Sequence, residues 1–255
     1  MSERTTSQRR TAFVTGASYG IGEAIANALA RDGFDVAVAD LTTETLDRTL
    51  AGVRSHGVRA AAFALDLRAQ SSIEQAMRDV ISAFGQLDLL VNNAGATVRG
   101  PVVEMTREQW ASVMDVNLTG TYFMSQAMGK YLLANGRKGS IISIASTHGA
   151  VGIANFSVYG ISKAGVAHMT RMLAIEWAKN GIRVNAIAPG STMTPTRAAG
   201  LRADPARRQG LIDRIPVGRF CTEEEIAGLA SYLASPQAEY ITGQTLLIDG
   251  GLTAY

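Results

Sequence analysis

Tyr159 and Lys163 stand four residues apart in the stretch Tyr-Gly-Ile-Ser-Lys, and their side chains can do acid-base chemistry together. In a helix, this spacing places a phenol and an ammonium on one face. A free phenol has a pKa of about 10 and is a poor base at neutral pH, whereas a neighbouring cation favours the phenolate. The pair therefore predicts a general acid/base with a lowered phenol pKa. The same spacing also occurs on ordinary amphipathic helices, where such residues only pack.

The composition is that of a globular chain without membrane or nucleic-acid signals. Its 255 residues suffice for one large α/β domain, and 47% of them are hydrophobic against 18% charged. The formal net charge of +2 gives no general argument for nucleic acid. The single cysteine, Cys221, rules out an intrachain disulfide and fits a reducing compartment. No run reaches the about 18 apolar residues of a membrane span, and residues 1–10 resemble a polar tail rather than a signal peptide. We expect a cytoplasmic protein.

Seven short apolar runs alternate with longer amphipathic segments, which predicts strands and helices in turn. The predicted strands are Thr11 to Thr15, Asp35 to Ala39, Ala60 to Leu65, Leu87 to Asn92, Ser140 to Ala145, Arg183 to Ala188 and Thr245 to Ile248. The predicted helices span roughly 20–32, 43–55, 70–84, 106–134, 157–179 and 222–234. Because the strands show no polar alternation, the sheet is covered on both faces, which is typical of parallel strands joined by right-handed crossovers. Residues 11–255 are therefore predicted to form a single doubly wound α/β domain of Rossmann type.

A glycine-rich turn lies between the first predicted strand and the first predicted helix. Glycines allow a tight turn and a close approach to phosphate, and the helix N-terminus offers unpaired N–H donors to the anion. This placement predicts a dinucleotide-binding turn, although glycines also serve helix entry and close packing. Three residues separate the first two glycines, more than in the common fingerprint. The candidate contacts are Gly16, Ser18, Tyr19, Gly20, Ile21 and Gly22.

Asp40 ends the second predicted strand, at the position where an acid can select the cofactor. Its carboxylate can accept hydrogen bonds from both ribose hydroxyls of NAD, whereas a 2′-phosphate would be repelled by roughly 4 kcal/mol at a protein-surface dielectric. No basic residue immediately follows Asp40, and Tyr19 precedes the second glycine where a basic residue could stand. The sequence therefore favours NAD over NADP. The alternative is that Asp40 only caps a helix or closes a turn.

These motifs together resemble the short-chain dehydrogenase/reductases, and the resemblance runs from about residue 10 to the end of the chain. The motifs that carry it are the glycine turn, Asn92-Asn93-Ala94-Gly95, Asn117 in Val-Asn-Leu-Thr-Gly, Ser146, the Tyr159 and Lys163 pair, Pro189-Gly190, Ile241-Thr242-Gly243-Gln244 and Asp249-Gly250-Gly251. Their order within 255 residues is more specific than any one of them.

The resemblance implies a catalytic set of Asn117, Ser146, Tyr159 and Lys163. Ser146 would hold the substrate oxygen, and Tyr159 would exchange the alcohol proton while a hydride passes between carbon and the nicotinamide. Lys163 would bind the nicotinamide ribose and lower the phenol pKa. Asn117 would sit at a helix distortion and hold a water of a proton relay. The plainer interpretations are a serine that bonds local backbone and a polar residue inside a helix.

Further cofactor contacts follow from the same resemblance. Asp66 would contact the adenine, and Asn93, Ala94 and Gly95 would lie beside the adenosine ribose. Thr192 and Thr194 would bind the nicotinamide carboxamide and phosphate, although threonines there could equally cap a helix. The complete additional set is Leu41, Asp66, Leu67, Asn93, Ala94, Gly95, Pro189, Gly190, Thr192 and Thr194.

The substrate pocket is less well marked. The resemblance suggests Thr97, His148, Phe156 and Met193 as lining residues, under a covering segment at about 191–215. His148 is either a second acid/base or, more simply, part of the pocket wall. The segment 193–214 contains five arginines but only two aspartates, which indicates either a basic lid for an anionic substrate or solvated helix faces. No spacing of His, Cys and carboxylates predicts a metal site.

Three functions remain open. The first is an NAD-dependent dehydrogenase for a secondary alcohol such as a polyol, sugar acid, cyclic alcohol or hydroxy acid. The second is an NADPH-dependent 3-oxoacyl thioester reductase, against which Asp40 argues. The third is a non-catalytic nucleotide-binding scaffold, which would not need all four catalytic residues. Apolar residues on several faces of the helices at 106–134 and 157–179 indicate a partner surface, and the resemblance implies a homotetramer.

Overall fold

The computed structural model describes residues 9–254, and within this range seven strands form one parallel sheet. All neighbouring strands run parallel, in the order β3-β2-β1-β4-β5-β6-β7. The strands are β1 (Thr11–Thr15), β2 (Asp35–Asp40), β3 (Ala60–Ala64), β4 (Leu89–Asn92), β5 (Gly139–Ile144), β6 (Ile182–Pro189) and β7 (Thr245–Ile248). The predicted doubly wound sheet is confirmed. Of the predicted tail at 1–10, residues 1–8 lie outside the described range, and Arg10 packs its guanidinium over the ring of Phe34.

Helices cover both faces of the sheet. They are α1 (Gly20–Arg31), α2 (Asp47–Ser55), α3 (Gln70–Phe84), α4 (Arg107–Met114), α5 (Thr121–Ala134), α6 (Ser157–Trp177), α7 (Pro195–Leu201), α8 (Pro205–Ile212) and α9 (Glu223–Ala234). Helices α1, α2 and α9 bury their apolar faces in one core layer, and α3, α5 and α6 in the other. None of the helices within residues 9–254 combines the length and the apolar character that a membrane span requires.

The continuous apolar runs of the strands follow from these two layers. Phe13 packs into the layer of α3, α5 and α6, while its neighbour Val14 packs into the layer of α1, α2 and α9. Ile141 and Ile142 divide in the same way on β5. Successive side chains of a strand point to opposite faces, so a strand buried on both faces is apolar at every position.

The prediction of one uninterrupted helix over 106–134 is wrong for the middle of that range. Helix α4 ends at Met114, and a π-helical segment at Asp115–Gly120 leads into α5. Gly120 lets this segment approach the loop after β3, since a Cβ there would lie 2.6 Å from the Cβ of Leu67. The distortion contains Asn117, where the family resemblance had implied one. Segments of this kind inside α-helices are frequent at functional sites.

The sheet has a topological switch point between β1 and β4. The chain adds β2 and β3 on one side of β1, and then returns to place β4 on the other side. In open α/β sheets, the crevice at the carboxyl ends of the strands at such a point is where ligands bind. The loops after β1, β4, β5 and β6 are therefore the elements that position the site.

Candidate active site

A cleft of about 890 Å³ opens at the carboxyl ends of the strands, within the size range of small-molecule and cofactor sites. It brings together most of the residues predicted from the sequence. Those that line it are Gly16, Ser18, Tyr19, Gly20, Ile21, Asp40, Leu41, Asp66, Leu67, Asn93, Ala94, Gly95, Thr97, Ser146, His148, Phe156, Tyr159, Lys163, Pro189, Gly190, Thr192 and Thr194. Gly22, Asn117 and Met193 are not among its lining residues.

The glycine turn between β1 and α1 has a conformation that requires glycine. Gly16 and Gly20 adopt φ angles of +63° and +69°, in the left-handed region. A Cβ on Gly16 would lie 2.6 Å from the Cα of Ala94. Tyr19 is the N-cap residue of α1 and provides no side-chain cap, which leaves the first-turn N–H groups without that partner. The turn therefore has the properties of a phosphate cradle.

Gly22 supports the turn rather than facing the cleft. A Cβ on Gly22 would lie 2.3 Å from the carbonyl oxygen of Gly16 and 2.5 Å from Nδ2 of Asn93. The Asn93 amide donates to the carbonyls of Thr15 at 3.1 Å and Gly16 at 2.7 Å. Asn93 thus fastens the loop after β4 to the turn after β1, across the point where the sheet reverses.

Two acidic side chains line the cleft, both on the side of the glycine turn. The Asp40 carboxylate accepts hydrogen bonds from the Ser18 hydroxyl and, at 2.9 Å, from the N–H of Leu41. Asp66 is paired with Arg68 at 2.6 Å, and the hydrogen bond from that guanidinium lowers the pKa of the carboxyl. Arg68 lines the cleft and was missed from the sequence, where its position two residues after Asp66 was the available signal.

Ser146, Tyr159 and Lys163 meet at the other end of the cleft. Ser146 follows β5, while Tyr159 and Lys163 occupy the first two turns of α6. The Lys163 ammonium is buried, donates to the carbonyl of Ile144 at 2.6 Å and lies 5.7 Å from the Tyr159 ring centroid. The fold therefore brings a hydroxyl, a phenol and an ammonium around one space, the last two as the spacing predicted and the first as the resemblance implied.

Burial sets the ionisation of this pair. It raises the pKa of the Tyr159 phenol above its usual value, against the hydrogen bond from Ser146 and the positive charge of Arg197, which lower it. Burial also lowers the pKa of Lys163 to about 8. The lowered phenol pKa predicted from the pair is wrong for this structure. The reason is desolvation of the phenol.

Asn117 does not line the cleft, but it forms hydrogen bonds to Ala96, which does. Its side-chain oxygen accepts from the N–H of Ala96 at 2.7 Å, and its amide donates to the carbonyl of Ala96 at 2.9 Å and to the Ser162 hydroxyl at 3.0 Å. Gly95 fits between this side chain and Lys163, because a Cβ there would lie 3.4 Å from Oδ1 of Asn117 and 3.7 Å from Nζ of Lys163. Asn117 therefore ties the π-helical segment to α6 and to the loop after β4. Its part in a proton relay stays a prediction.

His148 belongs to the wall of the cleft at the end that holds Ser146, Tyr159 and Lys163, which we call the reacting end. Its Nδ1 lies 3.3 Å from Oγ of Ser146, and its ring meets those of Phe156 and Tyr159 edge-on at 4.9 and 5.6 Å. Burial lowers the pKa of His148, and the positive charges of Arg197, Arg99 and Arg214 lower it further. The neutral imidazole is therefore favoured.

The segment after β6 contributes residues to the wall of the cleft. The hydroxyl of Thr194 accepts from the N–H of Arg197 at 3.3 Å, so Thr194 caps α7 while also lining the cleft. Met193 packs with Leu201, Ile215 and Phe220 in a small apolar cluster beneath α7 and α8 instead of lining the cleft. These two short helices were not predicted as helices, although each begins with a capping residue followed by proline, a usual helix start.

Comparison with known proteins places this geometry in a family. A protein-family model described as enoyl-(acyl carrier protein) reductase matches residues 16–253. The chain is 38% identical to the 2-dehydro-3-deoxy-D-gluconate 5-dehydrogenase of Escherichia coli (strain K12), over 96% of each chain. It is also 38% identical to the sorbitol dehydrogenase of Cereibacter sphaeroides, over 95% of this chain and 96% of that one.

A solved structure supports the same assignment. A protein from Agrobacterium tumefaciens with bound NADP is 42% identical, covers 96% of this chain over 97% of its own, and superposes with a TM-score of 0.89. The likeness thus extends over the sheet, the cleft and the covering segment. The chain belongs to the short-chain dehydrogenase/reductases, a family of NAD(P)-dependent oxidoreductases with a Rossmann-type fold.

Proposed function

We propose that the protein is an NAD-dependent dehydrogenase that interconverts a secondary alcohol and a ketone. The observation that carries the proposal is the placement of Ser146, Tyr159 and Lys163 at one end of a cleft whose other end presents the carboxylate of Asp40. The relatives support the substrate class, since they are named as dehydrogenases of a sugar acid and of a polyol.

The lining residues fit a nicotinamide dinucleotide. The glycine turn and the uncapped N-terminus of α1 would hold the pyrophosphate. Asp40 would accept from the adenosine ribose, and Lys163 would donate to the nicotinamide ribose. When bound, the nicotinamide supplies or accepts the hydride.

The side chains at the reacting end divide the remaining chemistry between them. In this proposal the Ser146 hydroxyl hydrogen-bonds the substrate oxygen and Tyr159 takes or returns its proton, which their shared position in the cleft supports. Proton transfer by a positioned side chain contributes typically about 10²- to 10⁴-fold in rate. Lys163, fixed by the carbonyl of Ile144, keeps a positive charge beside the phenol and favours its ionised form as the proton leaves.

NAD is the preferred cofactor in this proposal. Asp40 faces the cleft with its carboxylate oriented by Ser18 and Leu41, and a 2′-phosphate there would meet a like charge. Arg68, the nearby cation, is already paired with Asp66. The relative with bound NADP shows that the fold also accepts the phosphorylated cofactor, so the choice depends on these particular side chains.

An NADPH-dependent 3-oxoacyl thioester reductase is the second candidate. The description of the matching family model, enoyl-(acyl carrier protein) reductase, shares the acyl carrier with this candidate but names the enoyl group rather than the 3-oxo group. The carboxylate of Asp40 at the cofactor end of the cleft argues against it.

The test is a turnover assay that follows NADH or NADPH absorbance. Purified protein is offered NAD and NADP with polyols, sugar acids, hydroxy acids and cyclic alcohols, and, in the reverse direction, NADPH with a 3-oxoacyl thioester. We expect turnover of a secondary alcohol with NAD. Tyr159→Phe should lose at least about 10²-fold in kcat and still bind NADH in a fluorescence titration. Tyr240→Phe, at a fully exposed position, is the control.

The other outcomes separate the candidates. Full activity of Tyr159→Phe would contradict the mechanism. Reduction of the thioester with NADPH as the fastest reaction would favour the second candidate. Cofactor binding without turnover of any substrate would favour a nucleotide-binding scaffold.

We infer also that the protein works as a homotetramer. Tyr122 on α5 and Met172 and Ile175 on α6 expose 41%, 49% and 78% of their surface. Apolar side chains exposed on two neighbouring helices support a subunit interface there. The cytoplasmic location stays a prediction.

A further inference from the structure

Two arginines line the reacting end of the cleft. Arg99 lies in the loop after β4, and Arg197 lies in the first turn of α7. Both share the cleft with Ser146 and Tyr159, and the charge of Arg197 acts on the Tyr159 phenol. These guanidinium groups therefore border the same space from the loop after β4 and from the covering segment.

Neither guanidinium is neutralised by an acid. The ion pairs of the described residues involve six other arginines, and Arg99 and Arg197 take part in none of them. Arg99 packs 4.5 Å over the ring of Phe156, and Arg197 packs 5.9 Å from the ring of Phe220. Stacking on a ring orients the guanidinium plane but leaves its N–H donors available to an anion.

The charges at this end are uncompensated. Burial lowers the pKa of Arg197, and the positive charge of Arg99 lowers it further, so the two groups repel each other. His148, between them and Ser146, has its pKa lowered in part by the same two arginines. The acids that line the cleft, Asp40 and Asp66, are bonded to other groups at the cofactor end. Arg197 is half-buried and Arg99 is exposed, so the repulsion costs most at Arg197, and an anion bound by both groups would relieve that cost.

We infer that the substrate is a secondary alcohol that carries a carboxylate, bound by Arg99 and Arg197 while its hydroxyl lies at Ser146 and Tyr159. The inference rests on the proposed dehydrogenase function and names its substrate class. Oxidation removes a hydride from the carbinol carbon and a proton from its oxygen, and the carboxylate is unchanged. Its role is to fix the carbinol carbon relative to Tyr159.

Matched substrate pairs test this assignment. The pairs are D-gluconate with D-glucitol, and a hydroxycyclohexanecarboxylate with its methyl ester, each oxidised by the wild type and by Arg99→Gln, Arg197→Gln and Arg202→Gln. Arg202 belongs to the same covering segment and is exposed outside the cleft, so it is the matched control. For at least one pair we expect the wild type to prefer the carboxylate. Arg197→Gln should lower kcat/KM for it by about 10- to 100-fold, the loss expected for a charge-assisted hydrogen bond.

A second readout is independent of turnover. Calorimetric titration of cyclohexanecarboxylate into enzyme saturated with NADH should show binding to the wild type and to Arg202→Gln. Affinity should fall at least about tenfold in Arg197→Gln. Arg197→Lys keeps the charge and should recover part of the affinity.

The opposite results are distinguishable from each other. Equal turnover of both members of every pair, with Arg197→Gln lowering neither selectively, contradicts the carboxylate and leaves the dehydrogenase intact. A clear preference for a phosphorylated alcohol over the carboxylates also overturns it. Absence of turnover of any alcohol with either cofactor contradicts the dehydrogenase function itself.

Discussion

Single residues at the reacting end show how burial and charge act against each other. The four-residue spacing of Tyr159 and Lys163 predicted that they share one helix face, because a helix fixes that geometry locally, while the family resemblance implied their roles. The direction of the phenol pKa could not be predicted in the same way. It depends on burial of the phenol, which raises the pKa, and on the hydrogen bond from Ser146 and the charge of Arg197, which lower it. Local spacing thus predicts which residues meet, whereas their ionisation follows from tertiary packing.

Lys163 should make stability depend on pH. Its pKa in the folded protein is about 8, below the about 10.4 of a free lysine, so between these values the unfolded chain binds more protons. The contribution of Lys163 to the free energy of unfolding therefore rises with pH across this window, and below pH 8 the full cost of the buried charge is present. Lys163→Met removes that cost.

We expect the stability of Lys163→Met relative to the wild type to fall by about 2–3 kcal/mol from pH 7 to pH 10. Urea unfolding at both pH values measures it. Lys130→Met on α5, at an exposed position, reports the effect of removing a surface charge. A constant difference for Lys163→Met would contradict the depressed pKa.

Asp40 should determine the choice between the two cofactors. Asp40→Asn keeps the size of the side chain and removes the negative charge that would face a 2′-phosphate. The ratio of kcat/KM for NADP to that for NAD should rise by about 10- to 100-fold, because the repulsion is about 4 kcal/mol before screening. Asp66→Asn, which changes the other acid of the cleft, should shift the ratio much less. An unchanged ratio in Asp40→Asn would remove the argument for NAD.

At the scale of secondary-structure elements, the pattern of apolar residues predicted the strands well, but it did not predict where a helix is interrupted. The strands could be read because each is buried on both faces and apolar throughout. The π-helical segment Asp115–Gly120 interrupts a run that was predicted as one helix, and it brings Gly120 close to Leu67, a contact between residues distant in sequence. Helices α7 and α8 bury little, and their arginine-rich sequence has no apolar face that would identify them.

Two helical glycines provide a test of how closely α1 is packed. Gly22→Ala would force a Cβ within 2.3 Å of a backbone oxygen, so it should destabilise the protein by about 2–3 kcal/mol and weaken NADH binding. Gly228→Ala in α9, a helix that packs against α1, meets nothing within 4 Å and should stabilise by about 0.5–1 kcal/mol. Thermal unfolding and NADH titration measure both variants. Equal effects would show that α1 can shift to admit a side chain.

For the whole molecule, the proposed tetramer gives a direct prediction. Ile175→Glu places a charge in the exposed apolar face of α6 and should convert tetramers into smaller species in sedimentation velocity. Val103→Glu, 94% exposed and outside α5 and α6, should leave the assembly intact. A monomeric wild type, or an intact tetramer in Ile175→Glu, would contradict the interface.

The site as a whole could be predicted on the cofactor side and only in outline on the substrate side. The glycine turn follows β1, Asp40 ends β2, and Tyr159 and Lys163 lie on α6. Each is a short motif with a fixed place in the fold. The excess of arginines at 193–214 was visible in the sequence, but which of them lines the cleft was not. Arg197 proved to lack an acidic partner, and Arg99, far away in the sequence, faces the same space.

The covering segment is attached to the rest of the chain at both of its ends. Met193 donates to the carbonyl of Cys221 and Cys221 to that of Ser191, both at 2.9 Å, while Val217 donates to the carbonyl of Gly250 at 3.1 Å. Between these attachments, α7 and α8 contribute little to either core layer. The residues proposed to bind the substrate oxygen and to move the proton, Ser146 and Tyr159, lie after β5 and on α6, outside this segment. Insertions or substitutions between the attachments can therefore change which alcohol is accepted without disturbing the catalytic frame, so substrate range can diversify by evolution while the reaction stays the same.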